Sequence, residues 1–526
     1  MRPLRFVTAA SLFDGHDAAI NMVRRLLQAH GAEVVHLGHN RSVADIVSAA
    51  IEEDADAVAV SSYQGGHNEY FTYLVDMLRE RDCAHIRVLV GGGGTIAPHE
   101  IAALEQYGVE KVYTPEDGRR LGLDGMIEDV FGRVRAARRP PYRPGPVSAA
   151  APAQLARTIT VLETAEADDP GLEPIRLQIA AAKRSHAGRT APVIGITGTG
   201  GAGKSSLLDE LLARWVRVFP GRRIGVVAMD PTRRRSGGAL LGDRIRMNSL
   251  DSEAIFMRSL ATRRQHLATS AVLHEIVELY QAAGFDLVLV ETAGIGQSDS
   301  EIVDFADLSI YVMTAEYGAA SQLEKIDMLD LADFIVLNKS EKRGAEDSLR
   351  DVRKQWRRNH PELAGSPDGD LPVFATTASR FNDPGVDRLF AAVCRGLDSL
   401  GPSGRASSWS LPEGALDGVA GAAGVAGAAN AAGSAARDAR RGALIPGSRV
   451  RYLAEIAEQG RDERAGIERQ AEAAHRAGGL YEALKALGYP ALPAPLERFA
   501  EMPEADGGHH ALIAAYHAAL DEMGAE

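Results

Sequence analysis

From Leu4 to about residue 138 the chain alternates short apolar runs with amphipathic stretches. The runs "LRFVTAA", "AEVVHLG", "DAVAVSS", "IRVLVGG" and "EKVYT" have the length of buried strands. Between them, "DAAINMVRRLLQAH" and "NEYFTYLVDMLRER" space apolar residues three and four apart, as a helix with one buried face requires. Five such units predict a parallel sheet covered on both faces, an α/β domain of flavodoxin-like (Rossmann-like) type. The proline-rich "ARRPPYRPGPVSAAAPA" (137–153) ends the pattern.

Two helices are predicted over about 153–186, and a second α/β domain begins at Pro192. Its strands include "VIGIT", "RIGVVAM", "FDLVLVET", "LSIYVMT", "FIVLNK" and "PVFATT". It runs out near Pro402, before the Ala/Gly-rich "GALDGVAGAAGVAGAANAAGSAA" (414–436). That stretch is built from Ala and Gly rather than Leu, Ile or Phe and carries Asp417, which makes it a flexible linker and not a membrane span. A helical region follows, with "YLAEIAEQGRDERAGIERQAEAA" its clearest helix. The expected divisions are 1–138, 139–190 (linker and helices), 191–403, 404–445 (linker) and 446–526. No internal repeat is evident.

Composition excludes more than it identifies. At 526 residues several cores are expected, and a formal charge of −13 argues against a general nucleic-acid binder. Cys83 and Cys394 are the only cysteines, too few for a disulfide scaffold or a cysteine zinc site, and they suit a reducing cytoplasm. The N-terminal apolar run is too short for a signal peptide.

The chemistry concentrates in two places. Gly198-Thr199-Gly200-Gly201-Ala202-Gly203-Lys204-Ser205 fits GxxxxGK[ST] between a predicted strand and a predicted helix, which Ser206 continues. Its glycines let backbone N–H groups wrap phosphates; Lys204 would neutralise the β- and γ-phosphates, and Ser205 would ligate Mg²⁺. Asn338-Lys339-Ser340-Glu341 resembles the guanine-reading NKxD of GTPases, with Glu341 in place of the usual Asp. "FDLVLVETAGIGQSD" ends a strand at Glu291 and places Gly294 where an NTPase senses the γ-phosphate. "VVAMDPTRRRSGGALLGDRIRM" ends a strand at Asp230 and runs into a long polar loop holding Asp243. Asp230, Asp243 and Glu291 are candidates for the Mg²⁺ shell, with Lys204, Asp230 and Glu291 the candidate catalytic groups. Solvated acids at strand ends are the bland alternative for Asp243. Arg233 to Arg235 read as a solvated run or a contact to another domain, with phosphate stabilisation as the functional alternative.

"DPTRRRSGGALLGDRIRM", "ETAGIGQSD" and "NKSE" together resemble the MeaB/ArgK family of P-loop GTPases, chaperones of adenosylcobalamin-dependent mutases, over about 153–402. The resemblance implies slow GTP hydrolysis that gates cofactor loading and protects the mutase. It also implies mobile switch loops, one of them at "TAEYGAASQLEKIDML" (314–329).

In the first domain, Asp14 and His16 follow the first predicted strand, where parallel sheets place ligands. A neutral imidazole suits cobalt, and a carboxylate beside it fixes its tautomer. Ser61, Ser62, Gly65 and Gly66 follow the third strand, and Gly91, Gly92, Gly93 and Gly94 follow the fourth, allowing a flat ligand close to the backbone. This set resembles the cobalamin-binding domain of methylmalonyl-CoA mutase and methionine synthase, with DxHxxG, S-x-L and GG elements. In that family the histidine takes the lower axial position on cobalt and the displaced nucleotide tail enters a slot beside the sheet. Here Ala19 replaces the last glycine of the first element, and Tyr63-Gln64 stands in the second.

A cobalamin domain followed by a MeaB-type GTPase resembles the fused isobutyryl-CoA mutase family, whose members add a substrate-binding barrel. The resemblance implies adenosylcobalamin, Mg²⁺ and GTP as ligands. It implies an acyl-CoA mutase barrel as partner, in trans or in further sequence, and a cytoplasmic homo-oligomer. About eighty residues follow 446, against roughly 250 for a barrel, so the chain alone is not expected to convert isobutyryl-CoA to butyryl-CoA. The alternatives are a corrinoid-carrying methyl-transfer module with a metallochaperone-like GTPase, and a regulatory GTPase with a small-molecule sensor.

Overall fold

The computed structural model describes residues 2–523 apart from 93, 138, 167–168, 186–189, 233–236, 242, 263–265, 295–299, 318–322, 325, 364, 401–407, 413–451, 490–491 and 500–506. The chain divides into two units, residues 1–429 and 430–526. Gly93, Arg233 to Arg235 and the whole of the Ala/Gly-rich stretch therefore lie outside the described residues.

The first unit holds two parallel sheets. The first is laid down as β1 (Arg5–Ser11), α1 (Ala18–Ala29), β2 (Glu33–Arg41), α2 (Val43–Glu52), β3 (Ala57–Ser61), α3 (His67–Glu80), β4 (Arg87–Gly91), α4 (Pro98–Tyr107), β5 (Lys111–Tyr113) and α5 (Pro115–Ala136). Every residue of β1 is buried, as expected for a strand with helices on both faces. Phe6, Leu27, Ile127 and Val130 pack α1 and α5 on one side. Ile46, Phe71, Leu74 and Leu104 pack α2, α3 and α4 on the other. Local chemistry sets the helix starts: Ser42 and Asp45 form a reciprocal cap on α2, and Thr114 and Asp117 do so on α5 ahead of Pro115.

Helices α6 (Pro152–Thr164) and α7 (Glu173–Ser185) lead to the second sheet. It contains β6 (Val193–Gly198), α8 (Lys204–Val218), β7 (Ile224–Pro231), then β8 (Ala239–Leu241), β9 (Ile255–Thr262), α9 (His266–Ala283), β10 (Leu287–Glu291), β11 (Leu308–Thr314), β12 (Phe334–Asn338), α10 (Ala345–Asn359), β13 (Val373–Ala375) and α11 (Pro384–Ser399). Strand order is β13-β12-β11-β6-β10-β7-β9. β8 is the exception, for it joins the first sheet, whose order is β5-β4-β3-β1-β2-β8.

The segment expected to be one long polar loop after Asp230 is thus a strand donated from the second sheet's connections to the edge of the first. Ala239, Leu240 and Leu241 pair in parallel with Glu33, Val34 and Val35. Gly238 lets the chain approach: a Cβ there would meet the Gln28 carbonyl oxygen at 2.3 Å and that of Ala32 at 2.8 Å. β9 was not anticipated either, since Arg258 interrupts its apolar run while lying fully buried.

Arg258 belongs to a buried ionic network that joins the two sheets. Its guanidinium donates to Thr160 (2.8 Å) and Glu163 (3.1 Å) on α6. Glu163 also pairs with Arg5 of β1 at 3.1 Å, and Arg5 with Glu33 at 2.7 Å. Arg244, just past β8, donates to Glu53 at 2.9 Å and pairs with Glu52 at the end of α2. The Ser259 hydroxyl of β9 donates to Glu53 at 2.8 Å. Burial opposes the charge on Arg5, but Glu163, Glu33 and Glu53 outweigh it and hold its pKa above the usual value. Burial lowers that of Arg258, with Arg5 adding to the effect.

The second unit is helical. Helices α12 (Tyr452–Ala486) and α13 (Gly507–Met523) share a core of Ala477, Leu484, Phe499, Ile513 and Tyr516. Among the described residues no helix is long and apolar enough to cross a membrane.

Two outcomes follow from this packing. Gly238→Ala, which forces a methyl group onto the Gln28 carbonyl, should lower unfolding stability by about 1–3 kcal/mol in denaturant titration. A variant as stable as the parent would show that β8 docks with room to spare. The second concerns His36 of β2, whose Nδ1 lies 2.9 Å from the Thr8 hydroxyl. Burial, with Arg24 nearby, pushes its pKa down to about 4, against about 6.5 in an unfolded chain. The unfolded state therefore takes up this proton first, and stability should fall as pH drops from about 6.5 toward about 4, by at most about 3 kcal/mol. His36→Asn should flatten that part of the acid slope, and an unchanged slope would show that His36 titrates normally.

Candidate functional site

Both ligand-facing edges lie at the carboxyl ends of parallel strands, where β–α connections leave open crevices. On the second sheet, β6 ends at Gly198, whose φ is +139° and where a Cβ would strike the Val312 carbonyl oxygen at 1.9 Å. Gly201 and Gly203 also have positive φ, so the loop turns where only glycine turns freely. Gly200 is exposed and Ala202 buried. No side chain caps α8, which leaves the N–H groups of its first turn, including half-buried Ser206, for an anion.

Lys204 is buried and its Nζ donates to the carbonyl oxygens of Gly198 (3.0 Å) and Thr199 (3.3 Å). The Ser205 hydroxyl donates to Glu291 Oε1 at 2.9 Å. β10 and β7 are parallel neighbours with Glu291 opposite Ala228, so Asp230 lies two residues farther along the adjoining strand. Gly294 (φ +65°) sits against Lys204: a Cβ would come within 2.4 Å of Nζ. Asp243 begins a short 3₁₀ turn after β8, and its side chain is outside the described residues. Among the described residues no group of three or more His, Cys, Asp and Glu side chains is gathered to hold a metal ion. The structure thus brings Ser205 and Glu291 together and does not show the full acid set expected from the sequence.

Asn338 at the end of β12 is buried and ties two loops. Its amide donates to the Ala202 carbonyl at 2.8 Å, and its oxygen accepts from the Thr376 hydroxyl (3.0 Å) and the Ala378 N–H (3.1 Å). Lys339, at φ +58°, reaches the Gly201 carbonyl at 2.7 Å. Glu341 is exposed. Thr376, Thr377 and Ala378 were missed as site residues, although small hydroxyl residues directly after an apolar run are a readable signal. Thr377 shares a 3.0 Å hydroxyl contact with Ser340.

On the first sheet, Asp14 is buried and His16 is 76% exposed. Asp14 Oδ1 accepts from the His16 N–H and lies 2.9 Å from His16 Nδ1; Oδ2 accepts from the Tyr63 N–H at 2.8 Å. A carboxylate at Nδ1 places the proton there and leaves the Nε2 lone pair for an electrophile. The His16 and Tyr63 rings lie 5.5 Å apart. Ser11 donates to Ser62 at 2.9 Å.

Beside this histidine, α1, α5 and the ends of β3 to β5 enclose a cavity of about 350 Å³. Its walls are almost wholly apolar, with Ile20, Leu89, Met126 and Val130 prominent and Gly91 and Gly92 at one end. Ala19 forms part of the wall, so the methyl group in place of glycine leaves the space open. Ser61 also lines it, and its hydroxyl is buried without a hydrogen-bond partner among the described residues. A Cβ at Gly15, Gly65 or Gly91 would meet nothing within 4 Å.

Fold and geometry together define a P-loop nucleotide-binding protein with a second parallel sheet carrying a carboxylate-backed histidine above an apolar slot. Residues 155–410 match the family model for the methylmalonyl-CoA mutase-associated GTPase MeaB, and residues 4–118 match that for the B12 binding domain. The GTPase ArgK of Escherichia coli is 30% identical over 264 residues, 48% of this chain and 74% of that protein. The fused isobutyryl-CoA mutase of Cupriavidus metallidurans is 49% identical over 458 residues, and that of Geobacillus kaustophilus 46% over 491. These alignments cover 86% and 92% of this chain but 39% and 42% of the relatives, so the chain spans about two fifths of their length. The chain belongs to the MeaB/ArgK family of mutase-associated GTPases, with a B12-binding domain preceding the GTPase.

Proposed function

We propose that the chain holds adenosylcobalamin on its first sheet and hydrolyses GTP on its second, to load and guard the cofactor of an acyl-CoA carbon-skeleton mutase of the isobutyryl-CoA type. The observation that supports this most is the Asp14–His16 pair over an apolar cavity, in the same unit as the Lys204–Ser205–Glu291 site.

The residues fit the cofactor. Exposed His16 Nε2 would hold cobalt, while Asp14 keeps the proton on Nδ1. The cavity would take the nucleotide tail, with the Ser61 hydroxyl as its polar group, and Gly65, Gly91 and Gly92 would let the macrocycle lie close to the backbone. Bound, adenosylcobalamin supplies the radical chemistry of carbon-skeleton rearrangement. On the second sheet, the N–H groups of the 198–205 loop and Lys204 would neutralise the β- and γ-phosphates. Ser205 would hold Mg²⁺ with Glu291 and Asp230 around it, and Asp243 would complete the shell. Gly294 leaves room for the γ-phosphate, and Glu341 would accept from guanine N1 and N2. The acyl-CoA-binding barrel is assigned to a further domain or a partner chain.

Two measurements test this reading. GTP should be hydrolysed in preference to ATP with Mg²⁺, and Lys204→Ala should lower turnover by about a hundredfold or more. Equal use of both nucleotides, or full activity in the variant, would refute the nucleotide assignment. The paramagnetic resonance spectrum of bound cob(II)alamin should show one histidine nitrogen coupled to cobalt in protein labelled with ¹⁵N-histidine. His16→Ala should lose that coupling, and a spectrum unaffected by the substitution would make His16 an ordinary loop residue.

A further inference from the structure

The loop that carries Asp14 and His16 leaves β1 through an awkward turn. Phe13 has φ +63°, a conformation that bulky L-residues rarely adopt, and its ring is 83% exposed. The Asp14 N–H donates to the Ser11 carbonyl at 3.1 Å, which closes the turn but leaves its outer side open. That side is held from β2. The Phe13 N–H donates to Asn40 Oδ1 at 2.8 Å, and the Asn40 N–H donates to the Asp14 carbonyl at 3.3 Å.

Asn40 reaches the turn because β2 is irregular there. Its pairing with β1 shifts twice: Thr8 faces His36, Ala9 faces Gly38 and Ser11 faces Arg41. β2 thus contains one extra residue at each step, and Gly38 (φ +85°) and Asn40 (φ +55°) take the left-handed conformations. Bulges of this kind re-aim a side chain beside a functional edge. The bulged end is fixed on its far side, where the Tyr70 hydroxyl donates to the Arg41 carbonyl at 2.7 Å and Arg41 Nε to the Leu37 carbonyl at 2.6 Å. A Cβ at Gly38 would meet Ile245 Cδ1 at 3.1 Å, so the residues after β8 back the same strand end.

We propose that Asn40 is a positioning residue for the axial-ligand loop. Its carboxamide oxygen holds Phe13 in the left-handed turn, and this keeps the Asp14 carboxylate where it fixes the His16 ring. The proposal rests on the reading of His16 as the cobalt ligand.

The test uses the whole chain labelled with ¹⁵N-histidine and titrated with cob(II)alamin. Asn40→Gly removes the acceptor while tolerating φ +55°. It should weaken binding about three- to tenfold, the worth of one net hydrogen bond. It should also reduce the fraction of cobalt coupled to a histidine nitrogen. Asn40→Asp, whose carboxylate can accept the same Phe13 N–H, should bring both readouts back to within about twofold of the parent. Rescue by this variant separates positioning from general damage to the fold. Parental behaviour of Asn40→Gly, or equal impairment of Asn40→Asp, would overturn the proposal. His16→Ala is run alongside: if it loses the coupling while Asn40→Gly keeps it, only the positioning claim fails. If His16→Ala keeps the coupling, the axial-ligand reading fails and the Asn40 proposal with it.

Discussion

Glu163 accepts from two arginines that come from different sheets, Arg5 of β1 and Arg258 of β9. Charges as buried as these persist only when each is paired, and removing one partner typically costs about 3–5 kcal/mol. Arg5 has Glu33 and Glu163; Arg258 has Glu163 and Thr160; Arg244 has Glu52 and Glu53. The network is satisfied only with both sheets and α6 in place at once. It therefore acts as a geometric lock more than as a source of net stability, since apolar packing of similar volume can serve as well.

The lock has a backbone counterpart. β8 belongs by chain order to the second sheet's connections and by hydrogen bonding to the first sheet. The segment between Asp230 and β9 starts at the phosphate edge and pairs with β2 on the way. It then passes Arg244, anchored on α2, before returning as the edge strand beside β7. Two open sheets joined this way keep their carboxyl edges as separate crevices on one unit. The Asp14–His16 pair and the 198–205 loop thus lie on separate edges and are tied through the structure.

What was legible in the sequence was the chemistry that depends on neighbours in the chain. The loop from Gly198 to Ser205 shows itself because tight turns need glycine and phosphates need N–H groups followed by Lys204. Asp14 and His16 are two residues apart, and their contact is local. The alternating apolar runs gave five strands of the first sheet for the same reason. Partners set by distant pairing were hidden. Three residues, Ala239 to Leu241, carry too little apolar signal to announce a strand, and their register exists only because Glu33 to Val35 form an open edge. β9 was obscured by Arg258, a charge that reads as exposed until Glu163 and Thr160 are seen beside it. Asn40 is equally silent: nothing in "GHNRS" reports that two bulges turn its carboxamide toward Phe13.

The same distinction bears on how the two edges relate. Thr262 donates from its hydroxyl to the Asp230 carbonyl at 3.3 Å, so the phosphate-side end of the bridging segment is tied to β9. β9 in turn presents Ser259 to Glu53 and Arg258 to Glu163. The middle of the segment is paired to β2, and Ile245 lies on Gly38, two residues before Asn40. A displacement of the Asp230 end would therefore have to stretch the three-residue pairing, shift β2, or break a buried ion pair. The pairing is the weakest of these, because β8 is short, lies at a sheet edge and is flanked by glycines. β8 lies next to β2, the strand from which Asn40 holds the Phe13 turn.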